Sequence, residues 1–282
     1  VRPQLALRLD REGRRAEAVA VCREPEPDPA AALALERTGR RLARGLGWAP
    51  REPLRKPRER VLRLPPGSRG ARPTWVTRGG EVFVEAAVLA RVADAGREAL
   101  HAENWLWTSL YALVFRDLYF LPVPGMLPGP RRSGPLDVGT PGFWTRRREA
   151  VERRLAEVRE RGPAAFAEGW QGERLDGLGA PELAVAWSRR VPGATAAAVL
   201  TRLVKEGWAA ARGLPDLYVL PGPEVRVGEA VPSTIGNDDL LAEVKGPGDD
   251  VSDAQRVWHD HLLRSGIRVE IWRVAPGSPE TT

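Results

Sequence analysis

The feature that most constrains this chain lies in its C-terminal quarter, where three short strand-like runs surround one amphipathic helix. Residues 217–220 are apolar, 240–244 are apolar but for Glu243, and 269–274 alternates. All three have strand length and strand periodicity. Between the second and third, 252–263 has helical periodicity. Ser252 stands at the N-cap position with Gln255 three residues on, a capping box, and Gly266 follows at the C-cap position. The order strand, hairpin, strand, helix, strand predicts a mixed β-sheet with a crossover helix, an α/β core over 211–276.

The polar residues in these runs carry the chemistry. Gly213-Leu214-Pro215-Asp216 leads into the first run, and Glu243-Val244-Lys245-Gly246-Pro247 closes the second. The two-residue period of a strand puts Glu243 and Lys245 on one face and Val244 on the other. If the two strands are neighbours, Asp216 stands beside that pair. Two carboxylates and an ammonium suit metal-dependent phosphodiester hydrolysis. The oxygens hold Mg²⁺ or Mn²⁺, the metal activates water, and the lysine offsets charge developing on phosphate. Either half alone is commonplace, a surface i, i+2 pair or a turn aspartate. Together, with Gly-Pro ending the strand and a capped helix after it, they form the PD-(D/E)xK signature of restriction-endonuclease-like folds.

Upstream, 1–48 has the pattern of two or three short helices, and the stretch 9–18 resembles the turn of a tetratricopeptide-type hairpin. One hairpin is less than the roughly three repeats an array needs. Together with the absence of an initiating Met, this leads to the expectation that the protein extends beyond Val1. Residues 49–84 are expected to be an Arg/Pro-rich linker with a hairpin, strands 74–76 and 82–84 turning at Arg78-Gly79-Gly80. The region 85–210 is expected to be helical, with helices over 85–99, 103–120, 143–161, 163–174, 181–190 and 194–209 and a long loop at 122–141.

The net charge of +6, carried mostly by arginine, fits a nucleic-acid partner. It fits equally well the arginine bias of a GC-rich genome. A single cysteine, Cys22, excludes a disulfide framework and fits a reducing compartment. No apolar run approaches the roughly 20 residues of a membrane span, so no membrane partner is expected. Residues 1–20 lack the apolar segment of a signal peptide. The expectation is a cytoplasmic, nucleoid-associated protein of bacterial type.

The run GLPDLYVL … LLAEVKGPGDDVSDAQRVWHDHLLRSGIRVEIWRV resembles the VRR-NUC domain of the FAN1 (Fanconi-associated nuclease) family. HAENWLWTSLYALVFRDLYFLPVPGMLP and PLDVGTPGFWTRRR resemble the helical region leading into that domain. The resemblance implies that Asp216 and Glu243 bind metal, joined by the Val244 carbonyl and by Glu103, and that Lys245 is the catalytic lysine. Glu103 on its own is an ordinary first-turn helix glutamate. Asp249 and Gln255 match supporting positions, or serve only as helix-leading and capping residues. Arg146, Arg147, Arg153, Arg202, Lys205 and Arg212 are candidate DNA contacts, with a solvated helix face as the alternative for the first three. Ala254 and Trp208 stand where members that select a 5′-phosphate carry basic residues, which puts that selectivity in doubt. His259 and His261, two apart on a helix, make a poor metal pair and are expected to be solvated or partly packed. Trp105, Trp107, Trp187 and Trp258 are expected in the core.

The implied activity is structure-specific, Mg²⁺- or Mn²⁺-dependent hydrolysis of branched or flapped DNA, with 5′-flap cutting and 5′-to-3′ trimming in cross-link repair. The alternatives are a Holliday-junction or restriction-type nuclease and a catalytically inactive DNA-binding module.

Overall fold

A computed structural model of the protein describes residues 2–43, 48, 52–68, 72–103, 105–126, 134–170, 181–220 and 239–277. At the N-terminus, α1 (Arg2–Arg11), α2 (Arg15–Arg23) and α3 (Pro29–Leu42) pack on one another, with α1 and α2 joined by the expected short turn. Asp28 caps α3 through the Ala30 N–H at 2.9 Å, and Pro29 opens the helix where its missing N–H costs nothing. α3 also docks on the C-terminal domain, where Arg37 grips Asp253 with both guanidinium nitrogens at 2.5 Å.

The segment expected to be a linker instead supplies β1 (Arg58–Leu64) to the main sheet, paired in parallel with the last strand. Its sequence, Arg-Glu-Arg-Val-Leu-Arg-Leu, looks like a linker because an edge strand is mostly exposed and keeps charged side chains. The hairpin at Arg78-Gly79-Gly80 forms as β2 (Trp75–Thr77) and β3 (Gly80–Val82), within two residues of expectation.

The helix expected over 85–99 is α4 (Val84–Asp94), and it is followed by β4 (Ala99–His101). A three-residue strand is too short to display a period, so sequence pattern merges it with the helix. The next helix, α5 (Trp105–Phe115), gives way to a 3-10 turn over Arg116–Phe120 and has nine buried residues of eleven, which makes it the central helix of the domain. The expected helix at 143–161 is two, α6 (Pro141–Arg146) and α7 (Arg148–Arg161). They break at Arg147, whose side chain turns inward to Asp137 and to the Leu118 carbonyl. α8 (Ala164–Ala167), α9 (Pro181–Ser188) and α10 (Gly193–Glu206) complete the helical region. Part of the loop (127–133), of the expected helix (171–174) and of the hairpin connection (221–238) lies outside the described residues.

β5 (Leu217–Val219), β6 (Leu240–Lys245), α11 (Asp253–Arg264) and β7 (Val269–Pro276) follow the predicted order. The sheet runs β1-β7-β6-β5-β4: β1, β7 and β6 are parallel, and β5 is antiparallel to both its neighbours. Alternation along these strands splits the core. Leu217, Val219, Leu240, Ala242 and Val244 pack with α4 and Trp75, whereas Tyr218 and Leu241 pack with α5, α10 and α11. Both faces are covered, as a sheet with parallel strands requires.

β1 is held by a buried carboxylate. Glu270 receives hydrogen bonds from Arg60 (Nε and Nη2), Arg268 Nη2 and Trp272 Nε1. Burial works to raise its pKa, but the bonds from Arg60, Trp272 and Arg268 outweigh that and hold it below the usual glutamate range. Removing one side of such a buried cluster leaves uncompensated charge. Glu270→Ala is therefore expected to cost about 3 kcal/mol near pH 7, read as a lower urea midpoint at unchanged slope. Because the folded pKa is depressed, the difference should shrink as pH falls below the ordinary value of 4.5.

Candidate active site

Asp216, Glu243 and Lys245 converge where β4 and β6 end and β5 begins. The antiparallel register pairs Leu217 with Ala242, so Asp216, one residue before Leu217, lies beside Glu243, one residue after Ala242. The Val244 N–H donates to Asp216 Oδ2 at 2.7 Å, tying the two strands together at the site. On the other side, β4 pairs His101 with Leu217, and the Ala102 N–H donates to the Asp216 carbonyl at 2.9 Å. The strand that sequence pattern misses is what carries His101 and Glu103 to Asp216.

Gly213, in the Gly213-Leu214-Pro215-Asp216 phrase, is required by close approach rather than by an unusual turn. A Cβ there would lie 2.5 Å from the Ala254 carbonyl carbon and 2.8 Å from the Trp258 ring. With Trp258 Nε1 donating to the Ala210 carbonyl at 2.6 Å, the first turns of α11 are seated against the entry to β5.

Glu243 is fully buried. Its Oε1 accepts from Lys245 Nζ at 2.8 Å and from Gln255 Nε2 at 2.5 Å. Gln255 meanwhile accepts from the Ser252 N–H through its Oε1 at 2.8 Å, completing the capping box, so its capping and supporting roles coexist in one side chain. Glu243 Oε2 has no hydrogen-bond partner among the described residues. A buried carboxylate oxygen left in that condition is costly without a further partner, and a divalent cation is one such partner.

A ligand set stands beside it. Single ligand atoms of His101, Glu103 and Asp216 all lie within 4.8 Å of one another. Two carboxylates and one imidazole fit a divalent cation of the Mg²⁺–Mn²⁺ kind, the imidazole suiting the transition metal. Asp216 is pushed up to about 8, by burial first and then by the charge of Glu243, against the Val244 N–H and Lys245. Carboxylates crowded in this way favour a cation or a proton between them.

Two histidines at the site escape sequence reasoning. His101 shows only as the first residue of a motif, although it stands two residues before Glu103 at a strand end. His259 is neither solvated nor only partly packed. It is fully buried on α11, with Nε2 3.8 Å from Glu243 Oε2. The available signal is Gln255 and His259 at i, i+4, which share a helix face; pairing His259 with His261 obscures it. His261 is half-buried, with Nε2 2.8 Å from the Ala198 carbonyl.

Other candidates disperse. Asp249 is exposed and accepts from the Gly246 N–H at 3.0 Å, closing the turn after β6 without touching the carboxylates. Arg147 cannot track phosphate: it is buried, ion-paired to Asp137 at 3.0 Å and stacked on Phe143. Arg202 is also inside, with its guanidinium over Trp258 and bonded to Glu206. Arg146, Arg153, Lys205 and Arg212 have solvent access. Arg202, Lys205 and Arg212 line one cavity of about 520 Å³, which Asp28 closes from the N-terminal helices.

A mixed sheet that brings an Asp, a Glu and a Lys together at adjoining strand ends, with helices on both faces, has the architecture of the restriction-endonuclease-like class. Residues 163–276 match the family model of the VRR-NUC domain. The chain is 31% identical over 198 residues to the Fanconi-associated nuclease 1 homolog of Arabidopsis thaliana, covering 65% of this chain and 20% of that protein. It is 29% identical over 190 residues to Fanconi-associated nuclease 1 of Danio rerio, covering 63% and 18%. A crystal structure of paFAN1 bound to DNA with a two-nucleotide 5′ flap and a gap matches at TM-score 0.73 and 25% identity, over 99% of this chain and 49% of that one. The chain is thus similar to the VRR-NUC domain over 163–276 and to Fanconi-associated nucleases over about two thirds of its length, and it spans about a fifth of the length of these curated relatives.

The crowding of Asp216 sets a pH dependence for the metal-free protein. The fold keeps Asp216 protonated up to about pH 8, whereas the unfolded chain ionises it near 3.8. With the folded pKa raised, stability is full below the lower value and declines as pH climbs toward the upper one. Denaturant melts in EDTA are expected to show this decline. Asp216→Asn is expected to flatten it and to be more stable than wild type at pH 8 by about 1–2 kcal/mol.

Proposed function

We propose that this protein is a structure-specific DNA nuclease that hydrolyses phosphodiester bonds in branched DNA. On this reading it cuts near 5′ flaps, trims 5′ to 3′ and serves interstrand cross-link repair. The observation that carries the reading is Glu243, buried beneath Lys245 and Gln255 and facing Asp216 across two hydrogen-bonded strands. The likeness to paFAN1 bound to flapped DNA, over nearly the whole chain, supports the substrate class.

His101, Glu103 and Asp216, whose ligand atoms cluster, would hold the cation, with Glu243 and the Val244 carbonyl as further ligands on the family resemblance, and Mn²⁺ or Mg²⁺ is the expected ion. When bound, such an ion polarises the phosphate and lowers the pKa of water at the site. Lys245 keeps one ammonium within 2.8 Å of Glu243, close enough to orient a nucleophilic water or to neutralise charge on the phosphate as it develops. Gln255 fixes the Glu243 carboxylate, so the ligand set is held in place before substrate arrives.

The cavity bounded by Arg202, Lys205 and Arg212 is suited to the 5′ end of a flap, but its cations are offset by Asp28 and Glu206 in the same wall. Weak discrimination of a terminal phosphate follows from that balance.

Glu243→Ala and Lys245→Ala are each expected to lower Mn²⁺-dependent cleavage of a 5′-flap substrate by at least about 10³-fold while leaving DNA affinity within a few-fold. End-labelled 5′-flap, 3′-flap, splayed-arm and four-way substrates compared side by side test the specificity. Cutting confined to four-way junctions would replace the flap reading with a junction-resolving one, and binding without cleavage in Mn²⁺ would remove the enzyme. On the same panel, 5′-phosphate and 5′-hydroxyl flaps are expected to be cut at rates within about threefold of each other. Lys205→Ala combined with Arg212→Ala should weaken flap binding by roughly tenfold. The same double variant should flatten the log–log salt dependence of binding by about one unit of slope for each phosphate that the two cations neutralise.

A further inference from the structure

Two sets of unpartnered buried atoms face each other at the centre of the site. Glu243 Oε2 has no hydrogen-bond partner among the described residues, and the same is true of both ring nitrogens of His259. The two side chains are fully buried, and His259 Nε2 is 3.8 Å from Glu243 Oε2. Leaving one buried polar atom unsatisfied costs about 1–3 kcal/mol, and an apolar side chain of similar size at position 259 would avoid the imidazole's share. Around it, α11 supplies Trp258 and Leu262 to the core, so an apolar residue would suit the helix.

The rest of the carboxylate is already committed. Oε1 takes both Lys245 and Gln255, which leaves rotation of the carboxyl group to be set at Oε2. Gln255 and His259 stand four apart on α11, and both side chains reach Glu243, one to each oxygen.

We propose that His259 is a positioning residue for Glu243. Its Nε2–H holds the Oε2 side of the carboxylate, so that α11 fixes Glu243 from two successive turns. The gap closes to a hydrogen bond by a shift of less than about 1 Å, and catalytic hydrogen bonds commonly lengthen in this way in unliganded sites. Partners of this kind, which touch the ligand and not the metal, typically contribute 10- to 100-fold to metal affinity. The inference rests on the reading of Glu243 as a metal ligand.

The test is Mn²⁺ binding by the full chain without DNA, followed by electron paramagnetic resonance of free Mn²⁺, alongside thermal melts in EDTA. The variants are His259→Leu, His259→Gln and Glu243→Ala. The expected result is roughly tenfold weaker Mn²⁺ binding in His259→Leu and recovery of at least half of that loss, on a logarithmic scale, in His259→Gln, whose amide can donate to the same oxygen. The metal-free melting temperature of His259→Leu should equal or exceed that of wild type, since the leucine buries no unpartnered nitrogen. If Glu243→Ala loses Mn²⁺ binding while both His259 variants bind as wild type does, the positioning role is overturned and the metal site stands. If Glu243→Ala binds Mn²⁺ normally, the metal-ligand reading itself falls. Equal weakening in His259→Leu and His259→Gln would assign His259 to packing and overturn the proposal. So would weakening in His259→Leu that tracks a lowered melting temperature.

Discussion

The site depends on a carboxylate buried where two strands end and a third begins. Glu243 has no solvent exposure, and a carboxylate in that position survives only if its desolvation is offset by directed donors. Lys245 and Gln255 supply them, one from the same strand two residues on and one from the first turn of α11. That requirement explains the local architecture. The strand must end in Glu-x-Lys so that both side chains share a face, and the helix after it must begin close enough for Gln255 to reach back. The capping box makes the second condition robust, because the residue that reaches Glu243 also completes the cap.

The helix is seated by contacts away from the carboxylates. Gly213 lets the chain before β5 lie directly against Ala254 and Trp258, and Arg37 of α3 clasps Asp253 at the start of α11. The N-terminal helices are thus linked to the element that orients Glu243. They also line, through Asp28, the cavity that holds Arg202, Lys205 and Arg212 and that reaches Ala254 on the first turn of α11. At the far edge of the sheet, Glu270 does for β1 and β7 what Gln255 and Lys245 do for the site, turning a buried charge into a fixed register.

Asp216 shows the cost of this arrangement. Burial and the neighbouring Glu243 push it up to about 8, so the metal-free fold ionises Asp216 only at a cost in stability. Sites built to bind charge are commonly the least stable part of a fold for this reason. The acidic cluster and the lysine are therefore best understood together, as crowded carboxylates beside one ammonium.

Much of the core is legible in the sequence, because period-two runs, a capping box and a Pro-Asp/Glu-x-Lys pair are local signals read within a few residues. They mark out β5, β6, α11, β7 and the face shared by Glu243 and Lys245. What local pattern cannot supply is anything decided by a distant partner. β1 looks like a linker because it is a mostly exposed, charged edge strand whose Arg60 meets its partner, Glu270, some two hundred residues away. β4 is hidden because three residues hold no period, and with it goes the reason that His101 and Glu103 reach Asp216. Arg147 and Arg202 have the look of DNA contacts until packing turns them inward, and His259 that of a solvated or partly packed residue until α11 buries it beside Glu243. By itself the sequence determined the strands, the helix and the chemical types at the site, since those follow from short-range periodicity and residue chemistry. Only the tertiary structure decided which ligands meet and which charges are buried, since strand pairing and desolvation are set by residues far apart in the chain.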